Sequence, residues 1–193
     1  MTTTGIFGGS FNPVHNGHIE LARRLLGLAG LDEIWFVVSP QNPFKRNERL
    51  LDDCLRLEMV RLALKDEPRM APSDYEFRMP RPSYMWHTLQ SMSADYPGRR
   101  FTLLIGADNW ERFGEWYAAG EILARYPIVV YPREGTPVDA TSMPAGVTLA
   151  DTGPIPGSST EVRRRIAAGE PIDGLVPPAV ARFISANNLY AWQ

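Results

Sequence analysis

The stretch Gly8-Gly9-Ser10-Phe11-Asn12-Pro13-Val14-His15-Asn16-Gly17-His18 decides the fold of this 193-residue chain. It follows the apolar pair Ile6-Phe7 and combines the residues of a strand end, a tight turn and a helix start. Its two leading glycines have no Cβ, so a ligand can approach their backbone closely. Its proline restrains the turn. We therefore predict that a strand ends at the glycines and that a helix follows, with Asn16 as its N-cap.

Apolar residues at helical spacing support this helix. In such a helix His15 and His18 are three residues apart and lie on one side of its first turn. The first amide groups of a helix have no partner within it, and its dipole is positive at that end. The stretch therefore predicts an anion site with two proton donors. The apolar positions are Ile19, Ala22, Leu25, Leu26 and Ala29.

Composition limits the class of protein. Hydrophobic residues at 44% and charged residues at 22% are typical of a globular chain, and we expect residues 1–193 to form a single domain whose C-terminal helical part spans about residues 158–193. The formal charge of -2 argues against a general nucleic-acid binder. No apolar run approaches the roughly 20 residues of a membrane span, and the N-terminus does not resemble a signal peptide. We expect a soluble cytoplasmic protein without a membrane partner.

Cysteine and histidine usage argues against metal and disulfide frameworks. Cys54 is the only cysteine and lies among Leu51, Leu55 and Met59, which predicts a buried packing role. The histidine pair is a poor zinc signature, because it has no adjacent acid and no obvious third ligand. We therefore predict no metal site built from protein side chains.

Apolar runs separated by helical patterns predict a parallel sheet. Residues 34–38 (Ile-Trp-Phe-Val-Val) read as a strand buried on both faces, and with the first strand and helix they predict a right-handed crossover unit. Residues 101–105, 128–131 and 147–149 are further predicted strands. We predict an α/β fold, a Rossmann-like doubly wound parallel sheet with helices on both faces. Ligands bind such sheets at the carboxyl ends of the strands.

The remaining helices are predicted from periodicity and caps. Residues 71–82 are broken by prolines, and residues 132–157 are a long excursion from the sheet. His87 stands alone on its helix, which favours a structural role. The predicted helices cover 52–65, 83–94 with Ser83 as N-cap, 109–125 with a break at Gly114, a helix starting at Ser158, and a last one from Pro177 or Pro178 to about 186.

Two groups at predicted element ends are suited to phosphates. Asp108 follows a strand, where an acid can meet a ribose hydroxyl or a metal-bound phosphate. Residues 158–160 (Ser-Ser-Thr) taken alone are ordinary caps, but with an arginine they offer donors and charge to a polyphosphate. Successive helical residues are turned by about 100°, so Arg163, Arg164 and Arg165 cannot all face a ligand. We choose Arg163.

Two other candidates are less specific. Lys45 lies in the loop after the second strand and is as readily an ordinary surface lysine as a phosphate ligand. The aromatic residues Trp110, Phe113, Trp116 and Tyr117 are expected to be mostly core, with one exposed ring available to stack on a flat heterocycle.

Taken together, these motifs resemble the HxGH nucleotidyltransferases, and along its whole length the chain is similar to bacterial nicotinate-nucleotide adenylyltransferases. Residues 8–18 match the family's Gly-Ser-Phe-Asn/Asp-Pro-x-His-x-Gly-His, and residues 158–163 match its Ser-Ser-Thr-x-x-Arg. These two motifs identify only the superfamily. The segment Pro82-Ser83-Tyr84 with Thr88-Leu89, the following Trp116 and the ending from Pro177 to Tyr190 select the nicotinate branch.

The resemblance implies transfer of AMP from ATP to nicotinate mononucleotide, giving deamido-NAD and pyrophosphate, with Mg²⁺ accompanying ATP. The partners are then two small molecules, and a homo-oligomer is compatible with the sequence. The implied catalytic residues are His15, His18 and Arg163. The implied ATP or phosphate contacts are Gly8, Gly9, Ser10, Phe11, Lys45, Asp108, Ser158, Ser159 and Thr160. The implied nicotinate-nucleotide contacts are Ser83, Tyr84, Met85 and Trp116.

The chain departs from the family pattern at three places. The family's Thr-x-Asp is Met85-Trp86-His87 here, the apolar residue before Ser-Ser-Thr is Gly157, and the histidine before the loop lysine is Phe44. The first departure leaves nicotinamide mononucleotide, phosphopantetheine or another phosphate acceptor open. From other classes, a non-catalytic nucleotide-binding protein remains open, whereas a Rossmann oxidoreductase is disfavoured because Gly-x-Gly-x-x-Gly is missing.

Overall fold

The computed structural model describes residues 1–41 and 50–191. Their strands form a six-stranded sheet in the order β3-β2-β1-β4-β5-β6, and every neighbouring pair is parallel. This order confirms the predicted doubly wound sheet. The strands are β1 (Thr2–Gly9), β2 (Glu33–Val38), β3 (Met70–Ser73), β4 (Arg99–Gly106), β5 (Ile128–Tyr131) and β6 (Val147–Leu149).

Helices cover both faces of the sheet. Along β1, Phe7 points into the core that includes α1, α2 and α7, and Ile6 points into the core that includes α3 and α5. Alternate side chains of a strand face opposite sides, so a run of apolar residues fills both cores. The helices are α1 (Asn16–Leu28), α2 (Asp53–Ala63), α3 (Met85–Asp95), α4 (Ala107–Glu111), α5 (Ala119–Arg125), α6 (Ser159–Ala167) and α7 (Pro178–Ala186).

A crevice opens between the carboxyl ends of β1 and β4. From β1 the sheet continues through β2 and β3 on one side, and through β4, β5 and β6 on the other. Connections therefore leave these two central strands in opposite directions, which separates the loops above them. The 8–18 stretch begins at the end of β1, and Asp108 follows β4, so the topology brings both predicted phosphate elements to one edge.

One strand was not predicted, and two predicted N-caps were wrong. The proline-broken segment contains β3, and Pro72 is tolerated there because β3 is an edge strand. Asn16 is the first residue of α1 and His15 is its N-cap; the Asn16 side-chain amide donates instead to the carbonyl of Gly174 at 2.8 Å. Ser83 is buried, and Tyr84 is the N-cap of α3.

The predicted helix over residues 109–125 is interrupted more strongly than expected. Two helices, α4 and α5, are separated by a 3-10 turn at Phe113–Glu115. Ala118, which precedes α5, has a left-handed backbone with φ of 56°. A left-handed backbone cannot continue a right-handed helix, so the helical path is broken immediately before α5.

The prediction of a buried cysteine was also wrong, since Cys54 is exposed. Helix α2 turns a different face inward, with Arg56, Leu57, Met59, Val60 and Ala63 as its buried residues. The apolar pattern could not indicate that an arginine, Arg56, lies on the core side of this helix.

The C-terminal helices pack on the same face as α1 and α2. Val162 of α6 and Val180 and Ile184 of α7 belong to the core that contains Phe7. Tyr190, after α7, is fully buried in it. None of the helices in residues 1–41 and 50–191 has the length and apolar character that a bilayer span requires.

Candidate active site

A cavity of about 260 Å³ opens at the carboxyl edge of the sheet. Gly8 and Gly9 at the end of β1 form part of its wall. The residues implied for the nicotinate nucleotide, Ser83, Tyr84, Met85 and Trp116, all line the same cavity. The structure therefore brings the glycine turn and the Ser-Tyr segment, which are more than 70 positions apart in the chain, to one pocket.

The two histidines of the 8–18 stretch lie against each other. Their ring centroids are 3.7 Å apart, and the ring planes are inclined by 31°. The backbone N–H of His15 donates to Nδ1 of His18 at 3.1 Å. Because Nδ1 accepts this bond, the proton of a neutral His18 ring is on Nε2. His18 therefore carries an N–H donor without being charged.

Both histidines are neutral at pH 7 in the free protein. Burial, with a further contribution from the nearby Arg133 guanidinium, lowers the pKa of His15 to about 4. Burial, followed by His15 and Arg133, lowers the pKa of His18 well below its usual value. The site thus combines neutral imidazole groups with the nearby Arg133 cation, and this positive surrounding favours the binding of an anion.

Acidification is expected to destabilise the fold through His15. Between pH 6.5 and 4 the unfolded chain binds a proton on this histidine and the folded chain does not, so the free energy of unfolding decreases as the pH falls. The shift from 6.5 to about 4 corresponds to a loss of about 3 kcal/mol at pH 4. Denaturant unfolding of wild type and His15→Gln across this range should give a steeper loss for wild type. Equal slopes would contradict the assignment.

Two glycines let the chain approach these histidines. A Cβ on Gly17 would lie 2.6 Å from the carbonyl oxygen of Pro156, which is too short for any side chain. Gly157 has φ of +112°, a conformation that favours glycine. The departure from the family at position 157 thus fits the backbone conformation found here. Together the two glycines hold the start of α6 against the 8–18 stretch.

The first turn of α6 is bonded to that stretch. The Ser158 hydroxyl accepts from the N–H of Glu161 at 3.1 Å, which confirms the predicted hydroxyl cap. The Ser159 hydroxyl donates to the Pro13 carbonyl at 2.8 Å, and Arg163 Nη1 donates to the Asn12 carbonyl at 2.8 Å. These bonds attach Ser159 and Arg163 to the 8–18 stretch that carries the histidine pair, although they are about 150 positions away in the chain.

The two neighbouring arginines face elsewhere. Arg164 pairs with Glu161 at 2.9 Å and with Glu170 at 3.0 Å, and Arg165 pairs with Glu161 at 2.8 Å. Of these three arginines, Arg163 is the one bonded to the 8–18 stretch. This agrees with the prediction that the three side chains cannot all face one ligand. The Thr160 hydroxyl lies 3.4 Å from Arg163 Nη2 and accepts from it.

Asp108 and Arg133 form a second charged group at this edge. Arg133 Nε lies 3.7 Å from Oδ1 of Asp108, and both side chains are about half exposed. A Cβ on Gly106 would lie 2.4 Å from the same carboxylate oxygen, so a side chain at position 106 would require the Asp108 side chain to move. Sequence reasoning missed Arg133, although its place just after β5, at the carboxyl edge of the sheet, was an available signal.

A buried carboxyl group forms part of the cavity wall and was also missed. Burial raises the pKa of Glu76, and its Oε1 accepts from the Thr88 hydroxyl at 2.9 Å. The signal was weak, because a single glutamate in a proline-broken segment reads as a surface residue.

Aromatic rings flank the mouth of the cavity. Phe113 is buried between Trp110 and Trp116, with ring centroids 5.2 and 5.3 Å away. Trp116 and Tyr117 line the cavity, and Tyr117 is 53% exposed. Phe113 is therefore part of the core, whereas Trp116 and Tyr117 form part of the cavity wall and are available to stack on a flat ring.

The remaining predicted residues have varied placements. His87 is exposed, with its ring 5.1 Å from that of Tyr117, whereas Trp86 is buried. Lys45 and Phe44 lie outside the described residues. Within the described ranges, no group of three or more His, Cys, Asp or Glu side chains is arranged to hold a metal ion.

Comparisons with known proteins agree with this geometry. The model of the cytidylyltransferase-like family matches residues 6–165. A probable nicotinate-nucleotide adenylyltransferase of Bacteroides fragilis is 47% identical over 183 residues, covering 95% of this chain and 91% of the relative. A second, from Bacteroides thetaiotaomicron, is 45% identical over 181 residues, covering 94% and 90%.

The fold is found in solved structures. Nicotinic acid mononucleotide adenylyltransferase of Plasmodium falciparum, solved in complex with NaAD, aligns with a TM-score of 0.85 and 17% identity, covering 100% of this chain and 99% of that one. At that identity the likeness shows the fold alone.

Proposed function

Because the chain belongs to the cytidylyltransferase-like family, and within it to the nicotinate-nucleotide adenylyltransferases, we propose that it transfers AMP from ATP to nicotinate mononucleotide. The products are deamido-NAD and pyrophosphate, a step of NAD biosynthesis that we place in the cytoplasm. One observation carries the assignment: the cavity lined by Tyr84, Met85 and Trp116 opens beside the turn that holds the histidine pair. A pyridine ring and a triphosphate can therefore lie side by side.

The reaction needs no covalent intermediate. A phosphate oxygen of the mononucleotide attacks the α-phosphorus of ATP, and the bond from that phosphorus to the pyrophosphate oxygen breaks. The protein contributes position and electrostatic stabilisation, because two polyanions must be held together while charge develops on pyrophosphate. Hydrogen-bond donors that are fixed before the substrates bind stabilise this charge most effectively, because they need no reorganisation during the reaction.

The phosphates are bound from two sides. The neutral His18 donates from Nε2, and His15 lies beside it. Arg163 brings a full positive charge to the same turn from α6. The backbone of residues 8–11 and the hydroxyls of residues 158–160 complete the set. Arg133 adds a cation that the sequence did not predict, near enough to lower both histidine pKa values.

Mg²⁺ enters with ATP in this proposal. In nucleotide sites Mg²⁺ keeps several waters and binds through substrate phosphates and one or two carboxylates. Asp108 fits that mode, because its carboxylate is about half exposed at the carboxyl edge of the sheet. When bound, the ion neutralises phosphate charge. Asp108 would hold its hydration shell, and Arg133 keeps that carboxylate oriented from 3.7 Å.

The acceptor is recognised at the start of α3. The first N–H groups of this helix, near Tyr84 and Met85, suit the nicotinate carboxylate because a helix N-terminus attracts anions. Trp116 is placed to stack on the pyridine ring. Since Met85 replaces the family's threonine, recognition of the carboxylate rests on backbone donors.

Turnover with separate acceptors tests the proposal. The protein with ATP and Mg²⁺ should release pyrophosphate with nicotinate mononucleotide and form a product of the mass of deamido-NAD. With nicotinamide mononucleotide, kcat/KM should be at least tenfold lower, because a neutral amide loses the charge-assisted bonds, each worth about 1.5–3 kcal/mol. Faster turnover of nicotinamide mononucleotide would overturn the assignment of nicotinate mononucleotide as the acceptor. If none of the phosphate acceptors is turned over, the protein is a non-catalytic nucleotide-binding protein.

A further inference from the structure

Helix α2 carries an arginine on its core side. The Arg56 side chain is fully buried, beside Leu57 and Met59. Removing a guanidinium from water costs several kcal/mol unless it is paired and hydrogen-bonded. An apolar residue would serve packing better, so the contacts of this side chain indicate what it does.

Arg56 bonds to the ends of two neighbouring strands. Its Nη1 donates to the carbonyl of Ser10, just after β1, at 2.6 Å, and to that of Ser39, just after β2, at 2.9 Å. Its Nε donates to the carbonyl of Leu51 at 2.9 Å. Asp53 accepts from Nη2 at 2.5 Å and balances the charge. One planar group therefore joins the loops above β1 and β2.

The bond to Ser10 fixes the direction of the next amide. In a trans peptide the C=O and the following N–H point in opposite directions. The Phe11 N–H therefore points away from Arg56. Within residues 1–41 and 50–191, this N–H donates no hydrogen bond to another protein group. Phe11 also has φ of 46°, which is uncommon for a side chain of this size and requires support from its surroundings.

The next residue of the turn, Asn12, is held by two further hydrogen bonds. Asn12 Oδ1 accepts from the Tyr190 hydroxyl at 2.9 Å and from the Leu51 N–H at 3.3 Å. Leu51 thus bonds through its carbonyl to Arg56 and through its N–H to Asn12. The turn is thus held on both sides of the Ser10–Phe11 peptide, while the N–H of that peptide has no protein partner among the described residues.

We infer that Arg56 is a positioning residue: by binding the carbonyl of Ser10 it presents the Phe11 N–H to the phosphate groups of ATP. The inference rests on the proposed function and names a residue of that site which touches no substrate. A donor preoriented in this way gives its full stabilisation in the transition state, because no reorganisation is needed.

Arg56→Lys tests the role while keeping the charge. An ammonium on a flexible stem cannot reach all three carbonyls in the plane of a guanidinium. We expect kcat to fall about 100-fold, the cost of one missing donor, with KM for nicotinate mononucleotide unchanged within about threefold. Arg61→Lys is the matched control, because Arg61 lies on the same helix, exposed and paired with Glu58; it should keep wild-type kinetics. All assays are run well below each variant's unfolding midpoint.

A measurement on the wild-type protein tests the inference even if Arg56→Lys does not fold. In ¹⁵N-labelled protein, α,β-methylene-ATP, which cannot release pyrophosphate, should shift the Phe11 amide resonance, and the folded variant should lose that shift. An unshifted Phe11 resonance, or a folded Arg56→Lys enzyme with wild-type kcat, overturns the inference. Failure of wild type to form deamido-NAD would instead contradict the proposed function, and the two failures are thereby distinguishable.

Discussion

Replacing His18 with alanine is expected to lower kcat about a thousandfold, equivalent to about 4 kcal/mol of transition-state stabilisation. The Nε2–H donor is fixed by the bond from the His15 N–H to Nδ1, so its geometry is ready before substrates bind. The variant removes a donor to the developing charge but leaves Arg163 and the glycine backbone in place. ATP affinity, measured by calorimetry, should therefore fall much less than kcat. Near-normal turnover would refute the role of His18.

A conservative variant and the pH profile separate donation from charge. Glutamine at position 18 can place an amide N–H near the position of Nε2, so His18→Gln should recover part of the lost rate. Because the pKa of His18 lies well below its usual value, the imidazole is neutral from pH 6.5 to 8, and kcat/KM of the wild type should not fall as the pH rises through this range. A tenfold decrease per pH unit would instead identify the imidazolium as the active form.

The sheet and most helices followed from local patterns. The strands β2, β4 and β5 each contain an apolar run, since strands of a parallel sheet are buried on both faces, and glycines mark the carboxyl ends of β1 and β4. The edge strand β3 did not follow, because Met-Ala-Pro-Ser has no strand propensity of its own. It pairs with β2 because that strand offers an open row of hydrogen-bonding groups.

The site was predictable where chemistry is concentrated in short motifs. His15, His18 and Arg163 could be chosen from glycines, spacing and helical geometry. In the structure the two histidines are in contact, and Arg163 is bonded to the 8–18 stretch that contains them. Arg56 and Glu76 could not, because both look like surface charges in a polar pattern. Their burial depends on partners that the fold supplies from distant positions, such as the Ser10 carbonyl for Arg56 and Thr88 for Glu76.

The caps show the same limit on a smaller scale. Asn16 and Ser83 are good N-cap residues by intrinsic preference, yet the helices begin with His15 and Tyr84 as caps. In α1 the cap position is taken by a histidine whose backbone bonds to His18, and Asn16 is drawn to Gly174. Tertiary contacts at a functional turn thus override local preference, which is where such exceptions are expected.

Arg163→Gln is expected to lower kcat/KM for ATP by about 300-fold, equivalent to about 3.4 kcal/mol. Its guanidinium is the charge on α6 that reaches the histidine turn, where it donates to the Asn12 carbonyl at 2.8 Å. The substitution therefore removes a phosphate cation and loosens the turn at the same time. KM for ATP should rise and kcat should fall, because both the bound triphosphate and the leaving pyrophosphate lose a partner.

Arg164→Gln is the matched control for this variant. It removes the same charge one position along the same helix, but Arg164 is exposed and bonded to Glu161 and Glu170. Surface ion pairs of this kind contribute little to stability, so the control should fold and turn over within about twofold of wild type. If the two variants lose activity equally, the effect of Arg163 is long-range charge rather than contact with phosphate. A loss confined to Arg163→Gln, partly restored by Arg163→Lys, assigns the charge to the phosphate site.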